Sequence, residues 1–128
     1  MAKGIEMHEA HFPGRSQIDA YGNGGFRFAD MSHKGSILCI PSGIYGIELQ
    51  SPVPTLADIE KIIEEAADIE ILLVGTGTGL LPIPRDVKAA LQAKNISSDP
   101  MSTGAAIRTY NVLLAENRAV SALLYAVD

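Results

Sequence analysis

The glycine-rich run Gly75–Gly79 has the residue types of an anion-binding loop. It follows an apolar stretch typical of a β-strand and precedes a helical pattern, the place where open α/β sheets bind ligands. The backbone N–H groups of Gly75, Thr76, Gly77 and Thr78 can face an anion there. The G-x-G-x-G spacing is not a dinucleotide fingerprint, and no Gly-Lys-Ser or Gly-Lys-Thr follows to make a Walker loop. The alternative interpretation is a flexible turn.

Arg108 and Asn111 form a second candidate site, three residues apart on a predicted helix. An arginine beside an apolar stripe can reach solvent, pair with a carboxylate, or point into a cleft. A binding role for Arg108 therefore competes with a structural salt bridge, for instance to Glu116 or Asp99.

Arg27 is a third candidate, because it lies between two phenylalanines on a predicted strand. Two aromatic side chains on one strand face are found in nucleic-acid stacking platforms. The acidic composition argues against that use here, so we expect both phenylalanines in the core and Arg27 solvated or paired. In a ligand-binding protein, Arg27 or Arg108 would supply the counter-charge to an anion on the loop.

The remaining reactive residue types give weak signals. His8 and His11, near Glu6 and Glu9, have the residue types of metal ligands, but their spacing in a polar segment predicts only adventitious binding. Cys39 lies in the most apolar stretch and is predicted to be a buried, unreactive thiol. No serine can be matched to a histidine and an acid from sequence alone. The sequence thus predicts no catalytic residues, no metal and no cofactor; it favours a non-catalytic protein without settling the matter.

Composition narrows the classes of partner. The chain has 128 residues, a net charge of −5 and an isoelectric point near 5.1. This acidity argues against nucleic acid and against an anionic membrane surface, both of which attract clustered Lys and Arg. No apolar run approaches a membrane-spanning helix, and residues 1–14 resemble neither a secretory signal nor an Arg-rich presequence. We therefore predict one cytoplasmic domain over residues 1–128, in which residues 1–14 form a loosely held arm with room for one short strand.

The hydrophobic pattern predicts strands in the first half and alternating strands and helices in the second. A turn is predicted at Ser32–Gly35 and a break at Asp99-Pro100. Asn95 and Asn117 are predicted to end helices, and Ser102 or Thr103 to begin one. The predicted strands are 18–21, 26–28, 36–40, 44–49, 69–74, 96–98 and 119–127, and the predicted helices are 56–67, 84–94 and the segment between Ser102 and Asn117.

Several motifs resemble a known family when they are taken in order. They are Gly24-Gly25-Phe26-Arg27-Phe28, Gly35-Ser36, Gly75-Thr76-Gly77, Met101-x-Thr103-Gly104-Ala105-Ala106, Arg108-Thr109-Tyr110-Asn111 and Glu116-x-Arg118. Over about residues 15–127 the chain resembles a family of domains of unknown function, whose relatives include a mitochondrial complex I assembly factor and an adipogenesis-associated cytosolic protein. The resemblance implies a three-layer α/β fold with a mixed central sheet, crossover helices and an additional β layer from the N-terminal strands. It implies a role in assembly or protein interaction and no reaction.

Three functions follow from these observations. The first is a non-catalytic, assembly-factor-like protein that binds a protein partner through a surface near Gly75–Gly79 and Arg108. The second is a small-molecule protein, or an undiscovered enzyme, that binds an anionic ligand on the same loop. The third is a homodimer formed through an open edge strand.

Overall fold

The computed structural model describes residues 12–128, which form nine strands and three α-helices. Residues 1–11, with His8, His11 and most of the predicted arm, lie outside the described residues. The strands are β1 (Phe12–Pro13), β2 (Ala20–Gly22), β3 (Gly25–Phe28), β4 (Met31–Lys34), β5 (Ser36–Ile40), β6 (Gly43–Ile47), β7 (Ile71–Gly75), β8 (Ser97–Met101) and β9 (Val120–Leu124). The helices are α1 (Glu60–Glu64), α2 (Arg85–Gln92) and α3 (Thr103–Ala115), and short 3-10 helices flank α1 at Ala57–Ile59 and Ala66–Asp68.

Six strands form a mixed central sheet in the order β1-β6-β5-β9-β7-β8. Strand β9 is the centre of this sheet, because it pairs antiparallel with β5 on one side and parallel with β7 on the other. Strand β8 pairs parallel with β7 at the edge. The predicted α/β class with a mixed sheet and crossover helices is confirmed.

Both faces of the central sheet are covered, because alternate side chains of each inner strand enter different cores. On β5, Ile37 and Cys39 face a core shared with α3 and the small sheet, whereas Leu38 and Ile40 face a core shared with α1 and α2. Burial of each Ile or Leu side chain contributes about 1.5–3 kcal/mol to stability. The layers are thus helices α1 and α2, the central sheet, and α3 together with the additional β layer.

The additional layer is a three-stranded sheet in the order β2-β3-β4. Phe26 and Phe28 of β3 are buried, as expected, and join the core beneath α3. The predicted turn at Ser32–Gly35 is wrong, because 31–34 form strand β4. The chain instead turns at Ala29 and Asp30, whose φ angles of 49° and 62° are left-handed. Neither residue is a glycine, so the local sequence contains no strong turn signal.

Two other predicted boundaries are also wrong. The helix expected over 56–67 is broken into α1 and its two 3-10 turns. Ile59 ends the first 3-10 turn and Ile62 follows three residues later in α1, and both side chains are buried in the core. The break expected at Asp99-Pro100 is part of β8, which lies at the sheet edge, where proline is tolerated because no pairing N–H is required.

The predicted helix ends are confirmed. Asn95 and Asn117 have φ angles of 63° and 60°, the left-handed conformation that ends a helix. The Ser102 hydroxyl accepts a hydrogen bond from the Ala105 N–H at 3.3 Å and caps the start of α3. The first turn of α3 is therefore fixed next to the end of β8.

Candidate functional site

The glycine-rich loop lies at a topological switch point of the central sheet. Gly75–Gly79 leaves the carboxyl end of β7 towards α2, whereas the neighbouring strand β8 leads to α3. Helices α2 and α3 pack on opposite faces of the sheet. Neighbouring parallel strands that continue to opposite faces open a crevice between their carboxyl ends, and open α/β sheets use such crevices to bind ligands.

Hydrogen bonds within the chain close this crevice. The Thr76 N–H donates to the Met101 carbonyl at 2.9 Å, which extends the pairing of β7 with β8 by one residue. The Gly77 N–H donates to the Thr103 Oγ1 at 2.9 Å, and the Gly77 carbonyl accepts from the Thr103 N–H at 2.8 Å. Two of the four N–H groups expected to face an anion are therefore bonded to β8 and α3 instead.

Thr76 shapes the loop from within, because its side chain is buried. Its hydroxyl lies 2.7 Å from the Gly79 carbonyl and accepts a hydrogen bond from the Leu81 N–H at 2.9 Å. This bonding folds the loop back on itself and turns its end outward. Leu80 and Leu81 are 60% and 39% exposed, which is unusual for two consecutive leucines.

Thr103 pins three elements together at the start of α3. Besides accepting from the Gly77 N–H, its hydroxyl donates to the Tyr125 carbonyl at 2.7 Å. The Tyr125 N–H in turn donates to the Gly75 carbonyl at 2.8 Å. Thr103 is fully buried, so this hydroxyl joins the loop, α3 and the end of β9 out of contact with water.

Arg108 lies on the exposed face of α3, one turn beyond Gly104. It forms no ion pair with any residue from 12 to 128, so the expected salt bridge to Glu116 or Asp99 is absent there. The Tyr21 hydroxyl contacts the backbone of Gly104, and Nη1 of Arg108 lies 3.6 Å from the position of a Cβ on that residue. A side chain on Gly104 would displace Tyr21, so the glycine keeps this tyrosine beside Arg108.

Asn111 joins α3 to the segment that precedes the small sheet. Its side-chain amide donates to the Ile18 carbonyl at 2.9 Å, and its Oδ1 accepts from the Ile18 N–H at 2.9 Å. The amide thus replaces the partner that a neighbouring strand would give to Ile18, whose own side chain is buried. In the structure, Asn111 therefore has a structural role, which is to attach the segment around Ile18 to α3.

Replacing Asn111 with alanine is expected to destabilise the domain by about 2 kcal/mol. Both hydrogen bonds are lost, and the half-buried N–H and carbonyl of Ile18 are left without a protein partner. Leaving such a group unsatisfied costs about 1–3 kcal/mol of stability. Urea unfolding followed by circular dichroism measures the difference. The neighbouring Val112→Ala, at an exposed position of the same helix, serves as control and should change stability by less than about 0.5 kcal/mol.

Arg27 lies apart from the loop, on the exposed face of the small sheet. It lines a cavity of about 300 Å³ that also includes Ser32 and Lys34 but none of the residues 75–79. The structure therefore brings the loop and the first turns of α3 together through Thr103, and it leaves Arg27 at a separate place.

Cys39 and Tyr125 carry raised pKa values because both are desolvated. Burial raises the pKa of the Cys39 thiol to about 12, against a smaller lowering by its hydrogen bond with Tyr110. Burial also raises the pKa of Tyr125 to about 12, and the negative charge of Asp58 adds to the rise. The Cys39 thiol is thus buried and protonated at neutral pH, in line with the inert thiol predicted from the sequence.

Comparison with known proteins identifies the family. Residues 18–125 match the family described as "Protein of unknown function (DUF498/DUF598)". The chain belongs to this family. The predicted resemblance to a family of domains of unknown function is thereby confirmed.

Three other proteins are similar to this chain along most of their length. An uncharacterized protein of Rhodobacter capsulatus is 35% identical over 116 residues, which cover 91% of this chain and 89% of that protein. The NMR structure of the Rpa2829 protein of Rhodopseudomonas palustris is 42% identical with a TM-score of 0.80, over 99% of this chain and 93% of that one. A crystal structure from Bartonella henselae, described as an outer membrane protein, is 67% identical with a TM-score of 0.91, over 92% of this chain and 100% of that one.

Within residues 12–128 of this DUF498/DUF598 chain, no helix has the length and hydrophobicity needed to span a bilayer. The same residues contain no group of three or more His, Cys, Asp or Glu side chains placed to hold a metal ion.

The sequence did not indicate the two residues that organise this site. Thr103 resembles an ordinary helix cap in the sequence, and only its contacts with the loop after β7 and with the end of β9 make it a junction. Tyr21 lies in a predicted strand, and its contact with Gly104 of α3 joins positions far apart in the chain. The signal available for both was indirect, because Thr103 and Gly104 belong to the motif on which the family resemblance rests.

Proposed function

We propose that the protein binds another protein through the exposed side of α3 and has an assembly-factor-like role. We name the surface formed by Tyr21, Arg108 and Val112 the α3 face. The observation that carries the proposal is the exposure of Tyr21 and Val112, at 46% and 57%, on either side of Arg108. Gly104, Arg108 and Val112 are spaced by four residues and therefore share one side of the helix.

The chemistry of the α3 face suits a protein partner. Tyrosine and arginine are enriched among the residues that contribute most to protein interfaces, because each combines a large contact area with a hydrogen-bonding group. Arg108 is free of ion pairs with residues 12–128, so a carboxylate on a partner can take that place. Leu80 and Leu81, in the loop that Thr103 pins to the start of α3, offer further apolar surface at that end of the helix.

The proposal includes a cytoplasmic location and no catalytic step by the chain itself. It takes from the family resemblance only the idea of an assembly or interaction role. It does not place a ligand on Gly75–Gly79, since the N–H groups of Thr76 and Gly77 are bonded within the chain.

The expected result is that a partner is captured by the wild-type protein and lost when the α3 face is changed. The variant Arg108→Glu/Val112→Asp reverses the charge and adds a carboxylate at the exposed positions. Tagged protein is used for quantitative affinity purification from the soluble and membrane fractions of its own cells, which also tests the cytoplasmic location. The matched control is Lys88→Glu/Ala89→Asp, which makes the same charge changes on exposed positions of α2, on the opposite side of the sheet.

A partner lost in the α3 variant and retained in the α2 control would support the proposal. Equal recovery of every protein by both variants would refute it. If the partner is a second copy of the chain, sedimentation velocity will show a dimer for the wild type and a monomer for the α3 variant. Circular dichroism of both variants confirms that each remains folded.

A further inference from the structure

The outward face of the small sheet carries a cavity of about 300 Å³. Strand register places its lining in two rows across the sheet, Ala20–Arg27–Ser32 and Gly22–Gly25–Lys34. Ala20, Gly22 and Gly25 have small or no side chains; a Cβ at Gly22 would meet no atom within 4 Å, whereas one at Gly25 would meet the His33 carbonyl of the next strand. Arg27 and Lys34 are the long side chains that stand on it.

The charge around this cavity is opposite to that of the whole protein. The chain carries a net charge of −5, yet the cavity lining includes Arg27 and Lys34 and no Asp or Glu. Neither cation forms an ion pair with another residue between 12 and 128. His33 also lines the cavity, but its imidazole lies against Gly46 of the central sheet, so it is not counted as a counter-charge.

The two cations are placed to act on one anionic group. Arg27 lies directly opposite Ser32, and Lys34 is two residues further along the same strand. Such diagonal neighbours have Cβ atoms about 7–8 Å apart, a separation that two long flexible side chains close easily. An arginine donates two parallel hydrogen bonds to phosphate oxygens and a lysine adds a point charge. The Ser32 hydroxyl, beside Arg27, supplies one more donor.

We propose that this cavity binds a small molecule that carries a phosphate group, held by Arg27 and Lys34. The size of the cavity is at the lower end of the range for small-molecule sites, about 300–1,000 Å³. Two positive charges match a phosphate dianion better than a single carboxylate. Tyr21 belongs both to the cavity lining and to the α3 face, but Arg27 and Lys34 are not part of that face, and the proposal does not depend on the function proposed for it.

A competing explanation is that both cations prevent the small sheet from pairing with a strand of another chain. Strand β4 is an edge of the small sheet, and lysine on an edge strand discourages pairing with another chain. That explanation accounts for Lys34 on β4 but not for Arg27, since β3 is the middle strand. It also predicts that the face binds no phosphate.

The test is an NMR titration of ¹⁵N-labelled full-length protein with inorganic phosphate, with sodium chloride at matched ionic strength as the reference. We expect saturable shifts of the backbone amides of Gly22, Gly25 and Lys34. The variant Arg27→Gln/Lys34→Gln should raise the dissociation constant at least about tenfold. The control Arg85→Gln/Lys88→Gln removes the same charge from exposed positions of α2 and should change it by less than about twofold.

Phenyl phosphate and benzoate, titrated in parallel, separate a phosphate site from a site for any anion. Tighter binding of phenyl phosphate than of benzoate at the same amides supports the proposal. Equal binding of both, shifts that grow linearly with salt, or equal effects of the two double variants would each overturn it. The spectra also report whether each variant is folded, so a loss of binding cannot be mistaken for a loss of structure.

Discussion

Replacing Thr103 with valine is expected to destabilise the domain by about 3 kcal/mol. Valine matches threonine in shape but lacks the hydroxyl that accepts from the Gly77 N–H and donates to the Tyr125 carbonyl. Two backbone groups next to a fully buried position then lose their partner, at about 1–3 kcal/mol each. Because this hydroxyl connects the loop, α3 and the end of β9, its removal weakens the contacts among all three elements.

Urea unfolding of wild type and variant measures this difference. If the free energy of unfolding falls with urea at the same slope in both proteins, the shift in midpoint gives the change in stability. Thr109→Val is the matched control, because the Thr109 hydroxyl donates only to the Ala105 carbonyl within α3. This carbonyl also accepts a hydrogen bond from the helix backbone. Thr109→Val should therefore lower the free energy of unfolding by less than about 1 kcal/mol. Similar losses in the two variants would contradict the assignment of Thr103 as a junction. Faster amide exchange at Gly77 in Thr103→Val alone would locate the effect in the loop.

Local patterns in the sequence predicted most elements of the fold, because those patterns report burial. The continuous apolar run at 36–40 predicted a strand covered on both faces, and β5 divides its side chains between the two cores. The asparagines at 95 and 117 predicted helix ends because few residues adopt a left-handed conformation at low cost. The errors occurred where tertiary contacts override local preference. Ala29 and Asp30 form a turn that alanine does not favour, and Pro100 continues a strand because that strand is an edge.

The sequence was sufficient to predict where the glycine-rich loop lies in the sheet, but not which hydrogen bonds its N–H groups form. A strand, a glycine-rich loop and a helix in succession located the switch point of the sheet. Whether the loop N–H groups face an open crevice depends on how β8 and α3 approach, which a single sequence does not contain. Asn111 illustrates the same limit, since its amide was identified as a polar group near Arg108 while its partner is Ile18, on a segment 93 positions away. Arg108 and Arg27 were both predicted as candidate binding residues, and they lie on different surfaces.

Replacing Gly75 with alanine is expected to destabilise the domain by about 2–3 kcal/mol, the usual cost of adding volume to a well-packed site. A Cβ at Gly75 would lie 2.9 Å from the Thr103 Cα, 3.0 Å from the Leu124 Cδ2 and 3.1 Å from the Ala106 Cβ. Two of these neighbours belong to the first turn of α3, and the nearest is a backbone atom. The helix must therefore move away from β7 to admit a methyl group.

That movement would also strain the bonds between Gly77 and Thr103, so the loop and the helix should loosen together in Gly75→Ala. Gly79→Ala is the control in the same loop, because a Cβ there meets no atom within 4 Å. With open space and no left-handed backbone, that change should be neutral or stabilising by up to about 1 kcal/mol. Thermal and urea unfolding of the two variants compare them directly, and a Gly75→Ala protein as stable as Gly79→Ala would mean that α3 is not held against β7. The close fit at Gly75 and the open position at Gly79 show that the loop packs tightly where it meets α3 and becomes exposed towards Leu80 and Leu81.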